Sequence, residues 1–194
     1  ILFSMNVKYF LRTLNCPFDL LVDLIPNNAK ILDLGCGEAY LYKYHLNKKK
    51  ILQYTGIDIS LKNKLINLQS NKVQFYKKPI KSFLKNIKQY NCILLIDVMH
   101  HIDIKNQENT VVEILNNLNK DSIFIYKDIS NRNFLFSLLN RIHDLLYNFQ
   151  WINYYNSKKI ISLAKQNKNN LHINTFYHRI LFYDHEFIII KRNN

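Results

Sequence analysis

Short apolar runs alternate with stretches of helical periodicity through the middle of the chain. Residues 30–34 (Lys-Ile-Leu-Asp-Leu) form an apolar run that stops at Gly35, and comparable runs occupy 53–58, 73–76, 92–97 and 122–126. Between them, 38–47, 61–68, 80–87 and 107–118 carry the spacing of short helices. Apolar strands alternating with helices predict βαβ units and a parallel sheet covered on both faces. The fold class is α/β, doubly wound. Ahead of this core, Phe10, Leu14, Phe18, Leu21 and Leu24 predict a leading helix that Pro26 ends. After it, 133–151 is dense in large apolar residues and predicts a long helix or a helical pair, and 157–166 a further helix. Two β-rich runs, 171–177 and 186–191, joined by a turn at Tyr183-Asp184-His185, must pair antiparallel because the connection is short. The expectation is a mostly parallel, Rossmann-like seven-stranded sheet closed by an antiparallel terminal hairpin. It forms one domain over 1–194, with a leading helix at 5–25, a core at 30–128, a helical cap at 129–156, and the last helix and hairpin at 157–194.

The chain has three glycines, all between positions 35 and 56. Gly35 and Gly37 follow the first buried strand and precede a helix, where a bare backbone can pass beside a ligand that a Cβ would obstruct. Asp58 ends the second strand, 21 residues past Gly37, and is placed to accept hydrogen bonds from both ribose hydroxyls of a nucleoside ligand. The plainer alternative is a tight strand–helix turn with Asp58 as a helix cap. A dinucleotide-dehydrogenase reading shares the glycine turn and the acid. Against it stand Asp33 just before the turn, Ala39 where a third glycine would be, and the closing hairpin.

The string Leu32-Asp33-Leu34-Gly35-Cys36-Gly37 resembles the first motif of class I S-adenosylmethionine-dependent methyltransferases. Gly56-Ile57-Asp58-Ile59 is similar to their second motif, and Asp97-Val98-Met99-His100-His101-Ile102 to their fourth. The resemblance implies S-adenosyl-L-methionine as cofactor. It places Gly35, Cys36 and Gly37 beside the methionine part, Asp33 in support of its amino group, Asp58 on the ribose, Ile59 against the adenine and Asp97 near the sulfonium. Two departures stand out: Ala39 replaces the third glycine, and Tyr76-Lys77-Lys78-Pro79 stands where an acid often follows the third strand.

His100 and His101 follow the fourth strand at the edge where open α/β sheets bind ligands, so one of them is a candidate general base. A helix cap or a core position is the alternative for the pair. Lys127 and Asp128 occupy the same edge after the fifth strand. With 140–144 (Asn-Arg-Ile-His-Asp) they resemble bacterial small-molecule methyltransferases, which makes Lys127, Asp128, Arg141 and His143 candidate substrate contacts under the cap. A packing helix with a solvated His143-Asp144 face is the competing reading. Tyr177, His178 and Tyr183 are lesser candidates for the acceptor pocket. An aromatic, apolar cap suits a small or lipid-like acceptor.

Lys and Arg total 27 against 14 Asp and Glu, a formal net charge of +13. That balance keeps an RNA methyltransferase open as the alternative, although only five of the cations are Arg, the residue suited to bidentate phosphate contacts. The string after the fourth strand is not the Asn/Asp-Pro-Pro-aromatic pattern of base-amine methylation. Cys16-Pro17 reverses the order expected of cytosine C5 enzymes. A non-catalytic partner protein on a cofactor-binding fold is the third alternative, motivated by the missing acid. Three dispersed cysteines fit a reducing, cytoplasmic setting, and no histidine–cysteine spacing argues for a metal. Neither a signal peptide nor an apolar run of about 18 residues is expected.

Overall fold

The computed structural model describes residues 12–13, 16–46, 49–130, 155–180 and 183–192. Five strands run parallel: β1 (Ala29–Leu34), β2 (Ile51–Ile57), β3 (Val73–Tyr76), β4 (Cys92–Ile96) and β5 (Ile123–Ile129). β6 (Leu171–Ile180) and β7 (Tyr183–Arg192) pair antiparallel, and β7 also runs antiparallel to β5. The resulting seven-stranded sheet has the order β3-β2-β1-β4-β5-β7-β6; its parallel strands and antiparallel terminal hairpin are those the sequence pattern predicts. The chain builds outward from β1 in one direction and from β4 in the other. The carboxyl ends of these two neighbours therefore diverge into a crevice, the usual ligand position in such sheets.

Both sheet faces are buried, which explains the continuous apolar runs of β4 and β5. One core joins Ile31, Tyr54, Leu94, Ile125 and Phe187 to Leu21 of α1 (Phe18–Leu24). The opposite core joins Leu32, Ile93, Phe124 and Ile188 to Val111 and Ile114 of α2 (Ile104–Asn117) and to Ile160 of α3 (Ser157–Gln166). Asp103 and Asn156 start α2 and α3 by accepting hydrogen bonds from the backbone N–H of Lys105 and Lys158.

Several predicted elements take a different form. Pro17, which has no N–H and restricts the residue before it, stands at the start of α1, so no single helix spans 5–25. The helix predicted over 38–47 is a short, widened turn at Leu41–His45. Those predicted over 61–68 and 80–87 are tight helical turns at Asn63–Leu68, Ile80–Ser82 and Leu84–Gln89. Segments this short add too few hydrogen bonds to offset the cost of nucleating an α-helix. Tyr183, Asp184 and His185 do not form the hairpin turn. They pair with Ile180, Arg179 and His178, so β7 already begins at Tyr183. The predicted helix or helical pair at 133–151, and nearly all of the cap, lie outside the described residues. Among the described residues, no helix is long and apolar enough to cross a membrane.

Candidate functional site

The first side of the crevice is the turn after β1. Gly35 has φ +85° and Gly37 φ +54°, both left-handed conformations that a side chain disfavours. A Cβ on Gly35 would come within 2.4 Å of the Val98 side chain, so this glycine admits the loop after β4. A Cβ on Gly37 would meet nothing within 4 Å, which leaves open space beside the turn. Ala39 also sits at positive φ, +55°. The third glycine position thus keeps its left-handed backbone, at a cost of about 1–2 kcal/mol for an alanine. Gly56 is different: its Cβ would lie 2.8 Å from Cys36 Sγ and 2.9 Å from the Phe75 ring, so close packing requires it.

Asp58 closes β2 against this turn. Gly37 N–H donates to its Oδ2 at 2.9 Å, while Ser60 N–H and Oγ–H donate to Oδ1 at 2.7 and 2.6 Å. A carboxylate accepts about four hydrogen bonds. The bond from the exposed Ser60 hydroxyl is the one an incoming hydroxyl can replace. Ile59 is 70% exposed, an apolar side chain held at the surface directly beside the acid. Asp33 is buried and accepts a 2.5 Å hydrogen bond from the Tyr54 hydroxyl. Burial, reinforced by the Asp58 charge, raises its pKa to about 6 against the pull of that hydrogen bond. Beyond the turn, Glu38 bridges Lys62 and Lys64; although burial opposes ionisation, these lysines hold its carboxyl down at about 2.

The second side is built around Asp97, which follows β4 with φ +54°, a conformation that Asp tolerates better than most residues. Its two carboxylate oxygens accept from Lys127 Nζ, each at 2.7 Å, and Oδ2 also accepts from Arg12 at 2.9 Å. Burial alone would raise its pKa, but the two cations override it and hold the carboxyl well below the usual range. Lys127 is completely buried, its ammonium turned onto Asp97 and away from solvent.

The paired histidines separate. His100 Nδ1–H donates to Asp128 Oδ1 at 2.6 Å, with side chains only 5% and 4% exposed. Asp128 Oδ1 also accepts from Ile129 N–H, which fixes the carboxylate that orients the ring. His101 is exposed, its ring tilted over His100 at 4.1 Å between centroids. Asp128 alternates with Lys127 along β5, so the His100–Asp128 pair and the Asp97–Lys127 pair lie on opposite faces of the sheet. Arg141 and His143 lie outside the described residues. After β3, Lys77 and Lys78 are exposed where the acid is missing. Among the described residues, no cluster of His, Cys, Asp and Glu could hold a metal.

Sequence reasoning missed Arg12, Tyr54 and His185. Tyr54 had a signal, as the polar-tipped residue two before Gly56 in β2. Arg12 and His185 had none, because their neighbours are distant in the chain.

Comparison with known proteins agrees with this geometry. The family described as "Methyltransferase domain" matches residues 8–171. A carboxy-S-adenosyl-L-methionine synthase of Campylobacter lari is 25% identical over 128 residues, 63% of this chain and 54% of that protein. A homologous synthase of Campylobacter jejuni subsp. doylei is 26% identical over 129 residues, again 63% of this chain and 54% of the relative. The chain therefore spans about half the length of these curated relatives. Among solved structures, one in the complex between the Haloferax volcanii Trm112 methyltransferase activator and a methyltransferase superposes with a TM-score of 0.71. It is 10% identical and covers 98% of this chain and 95% of the other. Magnesium protoporphyrin IX methyltransferase from Synechocystis PCC 6803, solved with bound SAH, gives a TM-score of 0.61 at 15% identity, covering 96% and 84%. At such identities the structures speak for the fold. The family match over most of the chain speaks for descent: the chain belongs to the methyltransferase-domain family, on the class I fold that its glycine turn and fourth-strand string resemble.

Proposed function

We propose that the chain binds S-adenosyl-L-methionine in the crevice between β1, β2 and β4 and transfers its methyl group to a small or lipid-like acceptor. The observation that carries this reading is the open turn at Gly37, whose N–H is bonded to Asp58 while the space beside it stays clear. The residues present fit the cofactor. Asp33 offers a buried carboxylate to a cationic amino group, Asp58 takes the ribose as the Ser60 hydroxyl yields, and Ile59 offers an apolar surface to the adenine. Asp97 borders the sulfonium end with its charge balanced by Lys127 and Arg12.

When bound, the cofactor supplies an electrophilic methyl on a sulfonium. The chain's own part is to align the acceptor, exclude water and take up the acceptor's proton. His100 is the group suited to the proton. Its Nδ1–H is committed to Asp128, which leaves Nε2 as the basic nitrogen and stabilises the ring once Nε2 is protonated. His101, exposed, is assigned no chemical role.

Calorimetry with S-adenosylhomocysteine tests the reading. The wild-type chain binds with measurable heat, and Asp58→Ala weakens binding by more than about 1 kcal/mol, the scale of a hydrogen bond to a charged group. A chain that gives no heat at all sinks the reading, and an unchanged affinity in the variant removes Asp58 from the ribose.

A further inference from the structure

His185 is a fully buried histidine beside the Asp97–Lys127 pair. It sits in β7 at the carboxyl edge of the sheet, opposite Ile129 on β5 and His178 on β6. Directly opposed residues share a face, so His185 lies on the same face as Lys127, one diagonal step away and within reach of a long side chain. The ring is completely buried. Neither Nδ1 nor Nε2 has a hydrogen-bond partner among the described residues. Buried polar groups are almost always paired, and one left unpaired at a ligand-binding edge points to a partner that arrives from outside the chain.

The geometry points to His185 as an acceptor-binding residue that receives the hydrogen of a hydroxyl group other than the atom that is methylated, which makes the acceptor a molecule carrying an alcohol or phenol. This rests on the methyltransferase reading above. The charged and titratable groups that act on the ring are Lys127 of β5, Asp97 after β4, His178 of β6 and Arg12 of the leading segment. Burial and then Lys127 lower its pKa to about 3, against the opposing pull of Asp97. The imidazole is therefore neutral at working pH and offers one bare nitrogen and one N–H. Two hydrogen bonds from Lys127 Nζ go to Asp97. A hydroxyl can donate to the bare ring nitrogen and also accept from a neighbouring N–H. An ammonium would be repelled by Lys127 and Arg12, and a carboxylate has no hydrogen to give and would compete with Asp97 for Lys127. His185 anchors this hydroxyl on the Lys127 face of the sheet, apart from the reacting atom whose proton His100 takes on the opposite face.

The test uses the full chain saturated with S-adenosylhomocysteine, carrying isotope-labelled histidine, with para-cresol, a phenol that stays protonated at neutral pH, as probe and para-methylanisole as its counterpart without a donor hydroxyl. The His185 signals are identified by their loss in His185→Phe, which keeps a ring in the core. Para-cresol shifts the His185 ring nitrogens and binds about tenfold more tightly than para-methylanisole. That preference vanishes in His185→Phe and is partly retained in His185→Gln, which keeps an acceptor. Unmoved His185 signals, or a preference unchanged in the Phe variant, overturn the inference while leaving the methyltransferase reading standing. If S-adenosylhomocysteine itself fails to bind, both fall together.

Discussion

The two sides of the crevice are assembled in different ways. On the β1–β2 side, Asp33, Gly35, Gly37, Tyr54, Asp58 and Ser60 lie within one βαβ unit, and their contacts join neighbouring strands. On the β4–β5–β7 side, Arg12, Asp97, Lys127 and His185 come from four separate parts of the chain and meet only when the sheet closes. The first side is a local motif with a loose mouth, where one glycine faces open space. The second is a buried electrostatic network in which each charge is tolerable only because of another. Damage to the first should therefore be felt in ligand binding, and damage to the second in folding.

The largest expected effect tests the second side. Asp97→Asn keeps the left-handed backbone acceptable but strands the Lys127 ammonium at zero exposure. Urea denaturation without ligand should show a loss of about 3–5 kcal/mol, the cost of breaking a buried pair from one end. The double variant Asp97→Asn/Lys127→Met should recover much of it. A single variant near wild-type stability, or a double variant no better than the single, would break the contrast between the two sides.

Next comes the distinction between the paired histidines. His100→Ala is expected to lower turnover by roughly 100-fold with S-adenosylhomocysteine affinity intact, and Asp128→Asn to follow it. His101→Ala should leave turnover near wild type. Equal losses in the two histidine variants would remove the special standing of the buried dyad.

A smaller effect sharpens the picture of the first side. Asp33 has its folded-state pKa raised from 3.8 to about 6. The folded chain therefore holds more protons than the unfolded chain between those values, and stability falls as pH rises through that window. The stabilising contribution is complete below the unfolded value and lost above the folded one. Asp33→Asn keeps an acceptor for the Tyr54 hydroxyl while removing the charge. It should be more stable than wild type by about 2–3 kcal/mol at pH 8, with the gap closing toward pH 4. The same variant should bind S-adenosylhomocysteine more weakly. Parallel pH profiles for the two proteins would show that the Asp33 carboxylate is not strained in the empty site.

The legibility of the molecule follows the same division. The alternation of strands and helices, the closing hairpin and the glycine turn were readable because hydrophobic period and glycine placement act over a few residues. The short helices were overcalled, since periodicity reports which face is buried and not whether a segment is long enough to sustain an α-helix. At Tyr183-Asp184-His185 three polar-tipped residues suggested a turn. They are buried in β7 because that strand lies between β5 and β6, a placement no local pattern encodes.

By itself the sequence determined the α/β architecture, the open glycine turn and the acid at Asp58 that closes it, because each depends on backbone conformation and residues close in the chain. Only the tertiary structure decided that Lys127 faces Asp97 instead of solvent, that His100 and not His101 is held by a carboxylate, and that His185 is buried without a partner. Those outcomes depend on which strands lie side by side and on which face a side chain lands. A buried charge takes its meaning from neighbours that the linear order does not name.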